Sequence, residues 1–423
     1  MRVLHVTHQY PPAIGGSERY IADISEELAR RGHQVDVLTS RSLDYHSWRN
    51  ELGPFEVRNG VNVRRFRSIR RHKYVWQLLK RGIEGYVRTR ARRYEALFFL
   101  GGGPLCPGMF TWLLAHASRY DLVHLNCLVY APAAYGYAAA RLRGVPAVVT
   151  PHAHSEQEVT YDFGYQRAVL RGSDHVLAVT TPERTFLMDV GIDARHITTA
   201  GNGLRPEEYP AQNAGEARRR LGLPEDAFVL LFLGRKTDYK GFDLVVEAFK
   251  TLQPDHPELR LLAVGPGTQF SDALLARNSG LPGLVDLGAV SDEVKLAALN
   301  ACDCLALPSS AEAFGIVFLE AWILGKPVIG ARTLAVSTVI ADGEDGFLVT
   351  PGDVPGLAAQ VACLLADPGL ARQMGLKGHA KVLGRYTVER VTDVVEGVYL
   401  RVLRQRRSKN SGAGSERKGP AGE

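Results

Sequence analysis

Four side chains in the second half of this 423-residue chain are spaced for work on a charged, hydroxylated ligand. In PSSAEAFGIVFLEAWILGKPVI, Glu312 and Glu320 stand eight apart, with Phe314 and Gly315 between them. The pattern predicts a strand ending near Pro308 and a helix beginning near Gly315. The first N–H groups of that helix, around Gly315, Ile316 and Val317, have no intrahelical partner and make an anion seat. Glu320 lies one to two turns along the helix, where it can accept hydrogen bonds from a ribose diol. Glu312 lies ahead of it and can reach sugar hydroxyls. Alone, such a pair reads more plainly as two solvated carboxylates. It is not alone, because FLGRKTDYKGFDLVVEAF places Arg235 and Lys240 five apart in a strand-to-helix loop. Open α/β sheets bind ligands at such loops, at the carboxyl ends of their strands, and two cations there can neutralise a diphosphate. Gly265, in AVGPG, adds a turn at which backbone can approach a ligand closely.

A nucleoside diphosphate leaving group develops negative charge as its bond breaks. Some folds neutralise it with a metal held by Asp-x-Asp, and the sequence contains no such motif. Arg235, Lys240 and a helix N-terminus can do the same with fixed charges and dipoles, so neither metal nor cofactor is expected. Cys302 and Cys304 form a C-x-C, but no second pair and no nearby His completes a zinc site. Five cysteines, mostly in apolar runs, fit a reducing compartment better than a disulfide scaffold.

The elements that must position these residues alternate along the whole chain. Residues 2–7 read as a buried strand, ERYIADISEELARR as a helix that Ser17 can cap, and 34–39 as the next strand. Segments 121–126, 147–150 and 175–180 read as further strands. After Gly203 the alternation restarts, with strands at 228–234, 259–265 and 304–309 separated by helical stretches. This is the grammar of parallel sheets. The expected organisation is a Rossmann-like domain over 1–203, a second over 204–385, a helix over 386–405 returning to the first domain, and a disordered tail over 406–423. With 45% hydrophobic and 23% charged residues, the composition excludes a wholly disordered or fibrous chain. The start, MRVLHVTHQYPP, has too short and interrupted an apolar stretch for a signal peptide, and a cytoplasmic location is expected.

From Gly234 to Val349, the segments GRKTDYKG, VGPG, EAFGIVFLE and ADGEDGFLV resemble the retaining GT-B glycosyltransferases of family 4. GGSERY, DLVH and TPHAH extend the resemblance through the first half. It implies an α/β GT-B fold, two Rossmann-like domains with an interdomain cleft, acceptor-binding in the first and nucleotide-sugar-binding in the second. It also implies roles. Arg235 and Lys240 would hold the diphosphate of a UDP- or GDP-sugar, Glu320 the ribose, and Glu312 the transferred sugar. Backbone from Phe314 to Val317 would help hold phosphate or sugar. His152 would face the sugar, with Gly15 and Gly16 approaching diphosphate or acceptor, and His154 is a second candidate. The implied reaction is metal-independent transfer with retention to a hydroxyl acceptor, a glycan or lipid-linked intermediate of cell-envelope polysaccharide. A small natural-product acceptor, or a nucleotide-sugar epimerase of the same fold, are the alternatives. The chain departs from the family pattern where Thr338 stands in place of the usual Glu, and where Gly201-Asn202-Gly203 replaces Pro-Asn-Gly. A dinucleotide oxidoreductase is disfavoured, since HQYPPAIGGSER lacks G-x-G-x-x-G.

Between Arg64 and Arg93 lie twelve Arg or Lys and one acid, Glu84, although the whole chain is only +6. Tyr74, Trp76, Leu78 and Leu79 interleave with the cations. The window suits an anionic membrane surface or acceptor, or simply a solvated helical face. No recognition motif for nucleic acid accompanies it. A non-catalytic basic adaptor is the rival from another class. It predicts that Glu312 and Lys240 can be changed without consequence. The uncharged run 96–115 has the length of a membrane span, but three consecutive Gly and two Pro favour a buried loop and helix instead.

Overall fold

The computed structural model describes residues 1–153 and 160–415, with side chains to residue 408. His154 therefore lies outside the described residues. The chain divides into two compact units, one formed by Met1–Gly201 together with the chain from Val388 onward, the other by Asn202–Thr387.

The first unit carries β1 (Arg2–Val6), β2 (Gln34–Ser40), β3 (Phe55–Arg58), β4 (Val61–Phe66), β5 (Leu122–Asn126), β6 (Ala147–Thr150), β7 (His175–Ala178) and β8 (Ile197–Thr199). They lie in the order β3-β4-β2-β1-β5-β6-β7-β8, and only the β3–β4 pair is antiparallel. The second carries β9 (Phe228–Leu233), β10 (Leu259–Val264), β11 (Leu284–Gly288), β12 (Cys304–Leu307), β13 (Val328–Ala331) and β14 (Gly346–Val349), in the order β11-β10-β9-β12-β13-β14 and all parallel. Helices cover both faces of such sheets, so central strands are continuous apolar runs rather than alternating ones. In β9, Val229 to Phe232 are all fully buried. Strand order reverses between β1 and β5, and again between β9 and β12. Those reversals open a crevice at the carboxyl ends of the strands.

The first helix starts at Gly16 and runs to Arg30, with Gly15 at its cap. Ser17, expected to cap it, lies inside the first turn and donates to Glu18 Oε2 at 3.0 Å instead. The last helix, Val388–Ser415, continues past 405 into the segment expected to be a tail. Its Arg- and Lys-rich stretch has no Pro or Gly before Gly412, so propensity carries the helix on after packing ends. Val391, Val395, Val398, Tyr399 and Val402 are buried against the first unit, each stabilising by roughly 1.5–3 kcal/mol if fully removed from water. Tyr399 also joins a buried polar chain. Its hydroxyl lies 3.2 Å from His5 Nε2 and 2.5 Å from His124 Nδ1, while His5 Nδ1 meets Ser25 Oγ and His124 Nε2 meets Thr150 Oγ1.

The basic window folds as a helix over Lys73–Thr89 packed on another over Arg92–Gly102. The two approach backbone to backbone. A Cβ on Gly82 would fall 2.5 Å from Phe98 N, and one on Gly101 2.4 Å from Leu79 N. Lys73, Lys80, Arg81, Arg88, Arg92 and Arg93 are exposed. Arg65 and Arg71 are buried, so not all of the window's charge lies on its surface. Arg71 donates to Tyr45 O and Gly102 O and lies over the rings of Trp48 and Trp76. The uncharged run divides between that second helix and another over Pro107–His116, bent by 97°. No single helix among the described residues is long and apolar enough to cross a membrane.

Candidate active site

At the reversal in the second sheet, three loops are stitched together. The loop after β9 carries Arg235 and Lys240, the loop after β10 carries Gly265, and the loop after β12 carries Glu312. A Cβ on Gly265, which sits at φ +133, would fall 2.0 Å from Gly234 O, so the first two loops touch through bare backbone. Lys236 N donates to Pro266 O at 3.0 Å, and Thr268 Oγ1 to Lys236 O at 2.7 Å. On the other side Ser310 N donates to Tyr239 O at 2.8 Å. This last link brings Lys240 to Glu312, and their ion pair closes at 2.5 Å with both side chains partly exposed. Arg235 is exposed, with no side-chain partner among the described residues.

The helix after Glu312 runs over Ile316–Ile323, one residue later than expected, with Gly315 at its cap and no side chain capping it. Gly315 sits at φ +84, and a Cβ there would meet the Phe318 ring at 2.5 Å, so glycine is required on two counts. Ile316 and Val317 are partly exposed at this open N-terminus. Phe314 is 3% exposed and packs edge-on to Tyr386, so only its backbone is available to a ligand.

Glu320 is 6% exposed. Its Oε1 accepts from Tyr209 Oη at 2.7 Å and from Lys295 Nζ at 3.1 Å. Burial alone would lower the Lys295 ammonium, but Glu320 and then Asp292 outweigh it and hold it above its usual value. Sequence reading missed both partners. Lys295 looked like one more polar position on SDEVKLAALNAC, and Tyr209 stood just past the expected domain boundary at 203/204. It also missed Lys236, the neighbour of Arg235, which is fully buried and paired with Asp286 of β11. A solvated cation and a buried one cannot be told apart within GRK.

In the first unit, His152 follows β6 and takes φ +53, a left-handed conformation uncommon for a residue with a Cβ. Its Nε2 lies 2.8 Å from Asn126 Oδ1, and its ring sits edge-on to Tyr20 at 5.0 Å. Asn126 is held in turn by donating to Thr7 Oγ1 at 3.1 Å and Ser17 O at 3.2 Å. Gly16 has open space around it, whereas a Cβ on Gly15 would collide with the Glu18 carboxylate at 2.2 Å. That carboxylate, missed in the sequence, folds back over the helix N-terminus. It pairs with His8 Nε2 at 3.0 Å, and His8 stacks on Tyr130 at 3.9 Å. Burial would raise Glu18, but His8 and the Ser17 hydroxyl hold it below the usual carboxylate range.

Two doubly wound α/β units, each with polar groups gathered where its strand order reverses, define a GT-B glycosyltransferase fold. Sucrose-phosphate synthase from Thermosynechococcus elongatus shares it with a TM-score of 0.73 at 20% identity, covering 96% of this chain and 99% of that one. Anabaena HepE, solved in complex with UDP-glucose, matches with a TM-score of 0.71 at 20% identity, covering 94% and 99%. The family described as Glycosyl transferases group 1 matches residues 213–381, and the Glycosyl transferase 4-like domain matches residues 15–203. The D-inositol 3-phosphate glycosyltransferase of Kineococcus radiotolerans is 30% identical over 408 residues, covering 88% of this chain and 87% of the relative. That of Thermomonospora curvata is 28% identical over 422 residues, covering 90% of each. The chain belongs to the group 1 glycosyltransferases.

Proposed function

We propose that this glycosyltransferase takes a sugar from a nucleoside diphosphate and transfers it, with retention and without a metal ion, to a hydroxyl of a small anionic acceptor. The observation that carries the donor half is the meeting of Lys240 and Glu312 at the strand-order reversal of the second sheet. In the free protein each neutralises the other. A diphosphate offers Lys240 a stronger partner, with Arg235 and the N–H groups of Ile316 and Val317 beside it. Glu312 is thereby released to accept from sugar hydroxyls, and Glu320 keeps Oε2 for the ribose diol.

Transfer breaks the bond from the anomeric carbon to the phosphate oxygen and forms one to the acceptor oxygen on the same face. The acceptor's proton passes to the departing phosphate. Fixed cations and N–H dipoles aimed at that oxygen lower the barrier, because they need no reorganisation as charge develops. In the first unit, His152 is the residue offered to the reacting sugar.

HepE's complexes make UDP-sugars the first donors to try. The relatives named for inositol 3-phosphate favour a phosphorylated small molecule over a lipid-linked glycan. A second reading concerns location. The exposed cations of the helices Lys73–Thr89 and Arg92–Gly102, with Tyr74 and Val87 exposed among them, support contact with an anionic membrane.

The test is nucleoside diphosphate release from UDP-glucose, UDP-galactose, UDP-N-acetylglucosamine and GDP-mannose, with and without inositol 3-phosphate. Release from one donor, accelerated by acceptor, is expected. Conversion of a donor to its epimer without acceptor, or no binding of any donor, contradicts the reading.

A further inference from the structure

Glu183 is a buried carboxylate that the donor chemistry does not use. It sits in the first turn of the helix Thr181–Asp189, behind an N-cap at Thr180 whose Oγ1 accepts from Glu183 N at 3.2 Å. A glutamate at this position ordinarily reaches back to the cap's own backbone. This one does more. Oε2 accepts from Val179 N, just past the end of β7, at 2.6 Å, and Oε1 accepts from Ala153 N at 2.6 Å. Ala153 is the residue after His152, so one carboxylate ties the ends of two adjacent parallel strands.

His152 needs such a tie. Its positive φ costs of order 1–3 kcal/mol and persists only where the surroundings over-determine it. Asn126 holds the imidazole, and Glu183 holds the peptide group that follows. Burial makes the carboxylate costly to ionise, and no cation among the described residues offsets it. Its backbone N–H bonds, those from Val179 and Ala153 and a third at Thr180, are its compensation, and they are strongest while both oxygens are ionised acceptors.

We propose that Glu183 is a positioning residue for His152, fixing the imidazole's place through the Ala153 amide. The inference rests on the reading of His152 as the group facing the transferred sugar. Glu183 is 1% exposed, and burial pushes its carboxyl up to about 7 against the three backbone hydrogen bonds that lower it. Among the described residues, the ionisable groups facing it are Tyr20 and Cys127, and burial raises both beyond their usual values, so neither titrates near neutrality. Protonation makes one oxygen an O–H donor and a poorer acceptor, so the N–H group bonded to that oxygen is held less strongly.

Two measurements test this. The first needs no substrate. By NMR on the full chain, the Ala153 amide proton is expected to titrate with a midpoint near pH 7 and to be flat in Glu183→Gln. A flat wild-type profile overturns the proposal. The second uses the donor, among UDP-glucose, UDP-galactose, UDP-N-acetylglucosamine and GDP-mannose, that raises Tm most. Glu183→Gln is expected to lower kcat about 10- to 100-fold with little change in KM, and to add nothing in a His152→Ala background. Equal losses in both backgrounds, or no loss, overturn it. Should Glu183→Gln fail to fold, Glu183→Asp is read the same way, because its shorter arm keeps the charge but not the reach to Ala153. If His152→Ala itself is silent while Glu183→Gln is not, the reading of His152 fails, and that failure is told apart from a failure at Glu183.

Discussion

Lys240 and Glu312, 72 residues apart in sequence, close an ion pair at 2.5 Å where the strand order of the second sheet reverses. Both side chains are mostly buried, so removing one partner costs some stability. Lys240→Ala should lower Tm modestly while lowering turnover about 100- to 1,000-fold, the usual cost of one preorganised donor. Steady-state release of nucleoside diphosphate checks it. Unchanged turnover removes Lys240 from the phosphate site.

Glu320 serves two purposes that substitution can separate. Glu320→Ala leaves the Lys295 ammonium without its buried partner, so both Tm and donor affinity should fall. Adding Lys295→Met removes the stranded charge and should restore most of the Tm, while donor affinity stays low. If affinity recovers together with Tm, Glu320 is a structural carboxylate and not a ribose ligand.

The basic window makes opposite predictions for neighbouring residues. Changing Lys73, Lys80 and Arg81 together to Glu should abolish co-sedimentation with anionic vesicles and leave Tm within a few degrees. Arg71→Ala should instead destabilise the protein by about 2 kcal/mol or more, because it removes charged hydrogen bonds and the contacts over Trp48 and Trp76. A wild type that never sediments with anionic vesicles ends the membrane reading.

The buried histidines set a pH limit on the first unit. Burial lowers His5 from 6.5 to about 3, and burial together with His5 and His152 lowers His124 well below 6.5. Below pH 6.5 the unfolded chain takes up protons that these folded imidazoles refuse. The stability they allow is thus present above 6.5 and is lost as pH falls, by up to about 1.4 kcal/mol per pH unit for each group. Thermal unfolding at pH 7 and pH 5 should show a larger drop in Tm for the wild type than for His5→Gln. Equal drops contradict it.

Fold class was open to reading because strands covered on both sides are largely apolar: β9 is so throughout, and β1, β5 and β10 are interrupted only by Arg2, His5, His124, Asn126 and Arg260. The β3–β4 hairpin was overlooked although its signal was present. Asn59-Gly60 joins the strands, both at positive φ (46° and 82°), as a two-residue hairpin turn requires, but the arginines that follow drew attention to charge. Of the candidate site, Arg235, Lys240 and Glu312 could be picked out by their types in loops after strands, and Glu320 by its spacing from Glu312 on the helix that follows. Glu183 and Lys295 were not, since a glutamate after a helix cap and a lysine on a helix face have ordinary explanations. Only folding places Ala153 N against the one and Glu320 against the other. Asn126 was hidden for the same reason, as the last residue of a mostly apolar strand.

The central claim is that Lys240 exchanges Glu312 for a diphosphate. Calorimetric titration of UDP, GDP and their nucleosides into wild type and Lys240→Ala tests it directly. One diphosphate should bind the wild type and lose about ten-fold or more in affinity in Lys240→Ala, with the corresponding nucleoside unaffected. Equal affinity of that diphosphate for both proteins would contradict it.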